Sequence, residues 1–209
     1  MRFILLMLSL IPSAASATPT FTAAVTGGTL GIGAQVGVRN EQLGIRVDAA
    51  FLGFNATINS DDTKYDGHAE LRSYGVMLDL YPFGGGLRLS SGARLNRNGG
   101  KVTATPTRNT SIGGFTFTPA QIGTLRGSGS VRDLAPAITF GYGTKVGRGF
   151  LWSVDAGALF QGRVRVSPLT SSTGMIPQSR LDAERGDLQD DVGKYKVFPI
   201  AQIAAGWRF

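Results

Sequence analysis

The chain has 209 residues, enough for one ordinary domain, with 21 basic side chains against 14 acidic ones and a net charge of +7. Cysteine is absent, which excludes a disulfide framework and a lipid-bearing N-terminal cysteine. The 30 glycines carry no collagen-like period, and the cations are scattered rather than gathered with aromatics, as a nucleic-acid surface would require.

Residues 1–17 read as a removable export signal. Arg2 precedes an apolar run over 3–11, and Ala15-Ser16-Ala17 forms a small-x-small cleavage site. A spanning helix needs about 20 residues, so the run is too short for one, and no later segment reaches that length without Gly or charge. The remaining domain, 18–209, shows period-2 alternation along most of its length. Residues 18–26 supply a first strand with Phe21, Ala23 and Val25 on one face, and Gly27-Gly28 a tight turn. The run over 30–38 puts Leu30, Ile32, Ala34, Val36 and Val38 together. Further runs cover 43–54, 74–83, 87–96 and 134–142. The clearest spans 150–166, with Phe150, Trp152, Val154 and Ala156 opposite Leu151, Ser153, Asp155 and Gly157, continuing to Arg163 and Arg165 on the polar side. The closing run sets Ala201, Ile203, Ala205, Trp207 and Phe209 against Gln202, Ala204, Gly206 and Arg208.

Connections alternate in length. Short ones occupy 40–42, 84–86 and 147–149, and long polar ones 59–65, 106–130 and 170–195. Membrane barrels have short inner turns and longer outer loops, and an even strand count with both ends on the inner side. The first strand at 18–26 makes that count eight. Around Asn98-Gly99-Gly100, two readings stay open. Either the fifth strand ends near Arg97 and the Thr-rich stretch beyond forms an outer hairpin, or the strand runs on with a bulge.

The type of charge separates a membrane barrel from a soluble one. All five lysines (Lys64, Lys101, Lys145, Lys194, Lys196) fall in expected loops or at strand ends, and no Glu lies mid-strand. The polar faces carry Gly, Ser, Gln, Arg and Asp instead, which suits a narrow interior filled by side chains. Phe83, Phe140, Tyr142, Phe150, Trp152, Trp207 and Phe209 gather toward one rim as an aromatic girdle, of which Trp152, Trp207 and Phe209 are the anchors. The expectation is an all-β, eight-stranded antiparallel transmembrane barrel.

Export signal, eight strands, tight inner turns and a terminal aromatic together resemble the small bacterial outer-membrane barrels, such as outer-membrane proteins A, X and W. Lys196-Val197-Phe198-Pro199-Ile200 leading into Gly206-Trp207-Arg208-Phe209, and Asp79-Leu80-Tyr81-Pro82-Phe83 with Gly84-Gly85-Gly86, are similar to a family of outer-membrane barrels with no assigned reaction. The resemblance implies the cell outer membrane, surrounding lipid including lipopolysaccharide, insertion by the barrel-assembly machinery with Phe209 as part of the signal, and a monomer. It implies no cofactor.

Ionisable groups at membrane depth are costly unless paired. The inward set is expected to form a lumen network of Arg46, Asp48, Asp79, Arg88, Arg94, Asp155, Arg163 and Arg208, each Asp within reach of an Arg. His68 lies at the outer rim, and Ser73, five residues on, has opposite parity, which argues against a hydrolase triad. Ser179-Arg180-Leu181-Asp182 has the form of a capping box for a helix in the last outer loop, with Leu181, Leu188, Val192 and Tyr195 as its apolar stripe. The acids Asp182, Glu184, Asp187, Asp190 and Asp191 lack the spacing of a calcium loop, so no metal site is expected. The favoured function is a non-enzymatic structural or surface-interaction barrel with a filled lumen. The alternative is a narrow pore or apolar-solute carrier gated by the last outer loop, and a lipid-modifying enzyme is a third.

Overall fold

A strand with one apolar face satisfies its backbone only by pairing sideways, and in lipid the pairing has to close on itself. In the structure, a computed structural model that describes residues 18–60, 62–145 and 147–209, it does close. The expected export signal, residues 1–17, lies outside the described residues, as do Asp61 and Val146. In chain order the elements are β1 (Thr20–Gly28), β2 (Gly31–Asn40), β3 (Leu43–Asn59), β4 (Thr63–Leu80), β5 (Leu87–Asn96), β6 (Gly99–Pro106), β7 (Thr110–Ile112), β8 (Phe115–Phe117) and α1 (Pro119–Ile122). They continue with β9 (Leu125–Ser130), β10 (Leu134–Gly143), β11 (Gly149–Leu159), β12 (Arg165–Val166), β13 (Thr170–Ser171), α2 (Gln178–Val192) and β14 (Phe198–Arg208). The ring runs β1-β2-β3-β4-β5-β10-β11-β14 and back to β1, eight strands, all antiparallel.

Side chains sort by parity around this ring. Ile32, Val36, Ile45, Val76, Leu89, Ile138, Val154 and Ile203 face outward and stay exposed, a continuous apolar belt. Gln35, Ser90, Arg94, Thr139, Ser153 and Asp155 face inward and are buried. That is a membrane barrel, not a soluble one turned inside out. The first turn sits two residues later than expected. Gly27 and Gly28 belong to β1, the turn is Thr29-Leu30, and Leu30 leaves the lipid face to plug the barrel mouth. Gly28 is needed in the strand because a Cβ there would collide with the carbonyl of Ala201.

The outer half departs most from the expectation. β3 has 17 residues and β4 has 18, so at about 3.3 Å per residue their hairpin far exceeds the roughly 25 Å belt. β2 stops pairing at Phe51, but β3 and β4 stay in register to Asn59 and Lys64. In the segment expected as a long loop over 59–65, Asn59 pairs with Lys64, and Ser60 and Thr63 exchange backbone bonds just beyond. Lys64, Glu70 and Lys101 therefore stand on strands, above the belt rather than within it. β6, β9, β12 and β13 extend the hairpin into an open sheet. Of the two readings at Asn98, the first holds in part: β5 ends at Asn96 and the Thr-rich stretch forms β6, paired with β9 in the outer sheet. Ser73 pairs with Asn96 and Glu70 with Gly99, so β5 passes into β6 without a bulge, and the Asn98 side chain accepts the Arg72 N–H at 2.9 Å.

A small cap covers part of the mouth side of this sheet. Ile112, Ile122, Leu169, Ile176 and Leu181 pack with Leu125 and Val166. The expected capping box at Ser179 does not form. α2 starts two residues earlier, with Pro177 at the N-cap and no side-chain cap, and of its expected stripe only Leu181 is buried. Polar bonds hold the helix instead. The Gln189 amide donates to Val164 O and accepts from Val166 N, and Glu184 accepts from Gly113 N. The capping box that does form is Thr118 with Gln121, on α1.

Candidate functional site

The lumen gathers charge from strands far apart in sequence. Arg46 and Asp48 come from β3, Asp79 from β4, Arg88 and Arg94 from β5, and Asp155 from β11. Arg88 grips Asp155 with two nitrogens, its Nε donating to Oδ1 at 3.0 Å, and donates again to Ser153 Oγ at 3.2 Å. Arg94 grips Asp48 the same way, Nη1 to Oδ1 at 3.0 Å, with Nε on Ser73 Oγ at 2.8 Å. Arg46 takes the remaining aspartate, Asp79, at 3.3 Å and ties it to the Arg88–Asp155 pair, reaching Asp155 at 3.6 Å. Such fork-on-carboxylate pairs fix geometry as well as charge. Two glycines make room for them. A Cβ on Gly141 would strike Asp155 Oδ1, and one on Gly75 would strike both Arg94 Nη1 and Asp48 Oδ1.

Little space remains. The cavity inside is about 30 Å³, lined by Thr26, Leu30, Gln35, Arg46, Met77 and Gln202 among others, which is room for about one water. Leu30, Ala50, Met77, Leu159 and Ile200 form an apolar plug over part of the same interior.

Two of the expected network residues lie elsewhere. Arg208 is buried at the short-turn end and donates to the carbonyls of Lys145 and Gly147, tying a turn rather than pairing with an acid. Arg163 is exposed, because β11 ends at Leu159 and Gly162 takes a φ of +74°. From the Ala137–Leu159 pair to the Ser130–Arg165 pair, one strand advances seven residues and the other six, so parity slips and Arg163 and Arg165 leave the inward set. Arg39 was not among the expected residues, yet it stacks on Tyr81 at 3.5 Å and donates to the carbonyls of Glu41, Gly84 and Gly85. Its odd parity on β2, shared with Gln35, is the signal that could have found it. Trp152, Trp207 and Phe209 point outward at this same end.

The outer candidates do not assemble into a reaction centre. His68 is exposed, between Asn55 Oδ1 at 2.6 Å and Glu70 at 3.3 Å, while Ser73 is buried on the lumen face under Arg94. The His68 hydrogen bond, then Arg72, hold the Glu70 carboxyl below the usual carboxylate range. On α2, Asp191 meets Lys194 and Glu184 is spent on Gly113. No group of three or more His, Asp or Glu side chains converges among the described residues.

No protein-family model matches the chain, and no curated protein matches its sequence. Solved structures do. The crystal structure of Acinetobacter baumannii CarO2 is similar with a TM-score of 0.62 and 22% identity, over 91% of this chain and 98% of that one. Acinetobacter baumannii CarO is similar with a TM-score of 0.58 and 17% identity, over 90% and 97%. Likeness at this identity establishes the fold. With the apolar belt and the closed ring, the chain is a small eight-stranded outer-membrane β-barrel.

Proposed function

We propose that this barrel is non-enzymatic, monomeric and closed, and that its working surface is the sheet and cap projecting above the membrane. The observation that carries the reading is the lumen. Three arginines and three aspartates lock across it, and the space left is about one water. An eight-stranded interior has width for side chains and little else. The residues that fill it belong to the wall itself, so a gate in the last outer loop would have nothing to open. The projecting sheet presents Leu52, Phe54, Ile58, Tyr65 and Val102 uncovered on its mouth side, an area out of proportion to any need of the membrane span.

Planar-bilayer recording tests the closed lumen. The full chain is expected to give no steady conductance, and removal of residues 178–192 is expected to leave it silent. A steady conductance in the intact protein, lost or altered with that deletion, overturns the reading in favour of a gated pore.

A further inference from the structure

The two faces of the β3–β4 hairpin exchange polarity partway up. Outward residues are Ile45, Val47 and Phe51 on β3 and Leu78, Val76 and Tyr74 on β4. Beyond them the outward positions become Asn55 and Thr57, and Glu70, His68 and Asp66, while Leu52, Phe54 and Ile58 turn to the mouth side. The pairing register is unbroken from Leu43–Leu80 to Asn59–Lys64, so no bulge causes the exchange. The change is in the chemistry of the surroundings, and it marks where hydrocarbon ends.

Three arginines stand on that line. The register of Ser73–Asn96 and Glu70–Gly99 puts Arg72 opposite Arg97. The register of Leu95–Leu134 and Gly99–Ser130 puts Arg97 opposite Arg132. All three are exposed on the outer face, about 4.8 Å apart from strand to strand. The next outward residue below each is apolar and exposed: Tyr74 under Arg72, Leu95 under Arg97, Leu134 under Arg132. Among the described residues, Arg97 and Arg132 form no ion pair, and the nearby acids Glu70 and Asp66 already meet Arg72 at 2.9 Å and Lys64 at 3.5 Å.

Directly above Arg97 the sheet has a dent of about 220 Å³, bordered by His68, Glu70, Arg97, Gly99, Lys101 and Ser128. Gly99 opens it. A Cβ there would lie 3.4 Å from the carbonyl of Gly129, an ordinary contact, so sheet packing does not demand glycine at this position. Arg126 and Arg165 are exposed on the same face further out.

We propose that the Arg72–Arg97–Arg132 row and the dent at Gly99 form a binding site for a phosphorylated headgroup of an outer-leaflet lipid, whose acyl chains lie along Tyr74, Leu95 and Leu134. A cation above and an apolar side chain below, repeated on three adjacent strands, is the footprint of an anionic amphiphile. Guanidinium forks and the Ser128 hydroxyl supply the donors that phosphate oxygens accept from. The site rests on the membrane position of the belt and not on the closed lumen, so it can fail without the proposed function failing, and the reverse.

The test uses the full chain in detergent, titrated with a bisphosphorylated glucosamine lipid, its dephosphorylated form, or inorganic phosphate, and read by native mass spectrometry. The intact protein is expected to retain the phosphorylated lipid in preference to the other two. Arg97→Gln with Arg132→Gln is expected to weaken retention of the phosphorylated lipid by about tenfold in all, two charge-assisted donors being lost at the membrane surface. Gly99→Leu, which fills the dent, is expected to weaken it with the arginines intact. Arg148→Gln, in a short turn at the opposite end, is expected to change nothing. All these positions are exposed or open, and a retained mobility shift between unboiled and boiled samples shows that each variant is folded. Equal retention by the double variant overturns the site. Equal retention of the dephosphorylated lipid overturns the role of phosphate, and binding of inorganic phosphate as tight as the lipid overturns the lipid as its source.

Discussion

Replacing Asp155 by alanine is the sharpest perturbation of the lumen, because its two partners are unequally placed to survive it. The carboxylate takes a two-nitrogen grip from Arg88 and a 3.6 Å approach from Arg46. Its side chain is 5% exposed and that of Arg88 8%, so neither charge has water to fall back on. Without Asp155, Arg46 keeps Asp79 at 3.3 Å, but Arg88 keeps only the neutral hydroxyl of Ser153. Stranding a buried charge in this way costs roughly 3–5 kcal/mol. Removal of Asp79 leaves Arg46 with Asp155 and should cost clearly less. The exposed Asp191–Lys194 pair belongs to the class worth under about 1 kcal/mol. Urea unfolding of the reconstituted barrel, followed by tryptophan emission and by the mobility of unboiled samples, is therefore expected to rank Asp155→Ala well below Asp79→Ala, and both below Asp191→Ala, in stability. Asp48→Ala should sit with Asp155→Ala, since Arg94 would be left with Ser73 alone. Equal losses for Asp155 and Asp79, or a loss at Asp155 no larger than at Asp191, refute the pairing scheme and with it the filled lumen.

Two further outcomes follow from the same geometry. Gly75→Val should wedge apart the Arg94–Asp48 grip and cost about 1–3 kcal/mol by overpacking, which the same urea series would register; an unchanged midpoint would mean the pair has slack the structure does not show. Ile138→Arg places a charge in the middle of the apolar belt and should cost roughly 2–4 kcal/mol or block insertion, whereas Thr57→Arg, outward but above the belt, should be tolerated; membrane-fraction levels of the two variants compare them directly.

Which side of each strand meets lipid was legible in the sequence, because in an extended chain it depends only on parity. Phe150, Trp152 and Val154 against Leu151, Ser153 and Asp155, and Ile203, Ala205 and Trp207 against Gln202, Ala204 and Arg208, sort in the structure as the alternation implies. The ring of eight also followed from alternation and loop length. The projecting sheet did not. The apolar residues of β3 pass from odd positions (Ile45, Val47, Phe51) to even ones (Leu52, Phe54, Ile58), and a pattern that reverses where the surroundings change from lipid to water looks locally like a strand that has ended. The fate of Arg163 was hidden for a related reason, since one left-handed glycine and a one-residue slip undo a parity argument without altering its letters. The pairings themselves belong to tertiary structure alone. Arg88 and Asp155 are 67 residues apart, and only closure of the ring, with Gly141 leaving space beside them, brings that fork to that carboxylate. Parity is a property of the chain, but partnership depends on the register between strands, and closure of the ring sets that register.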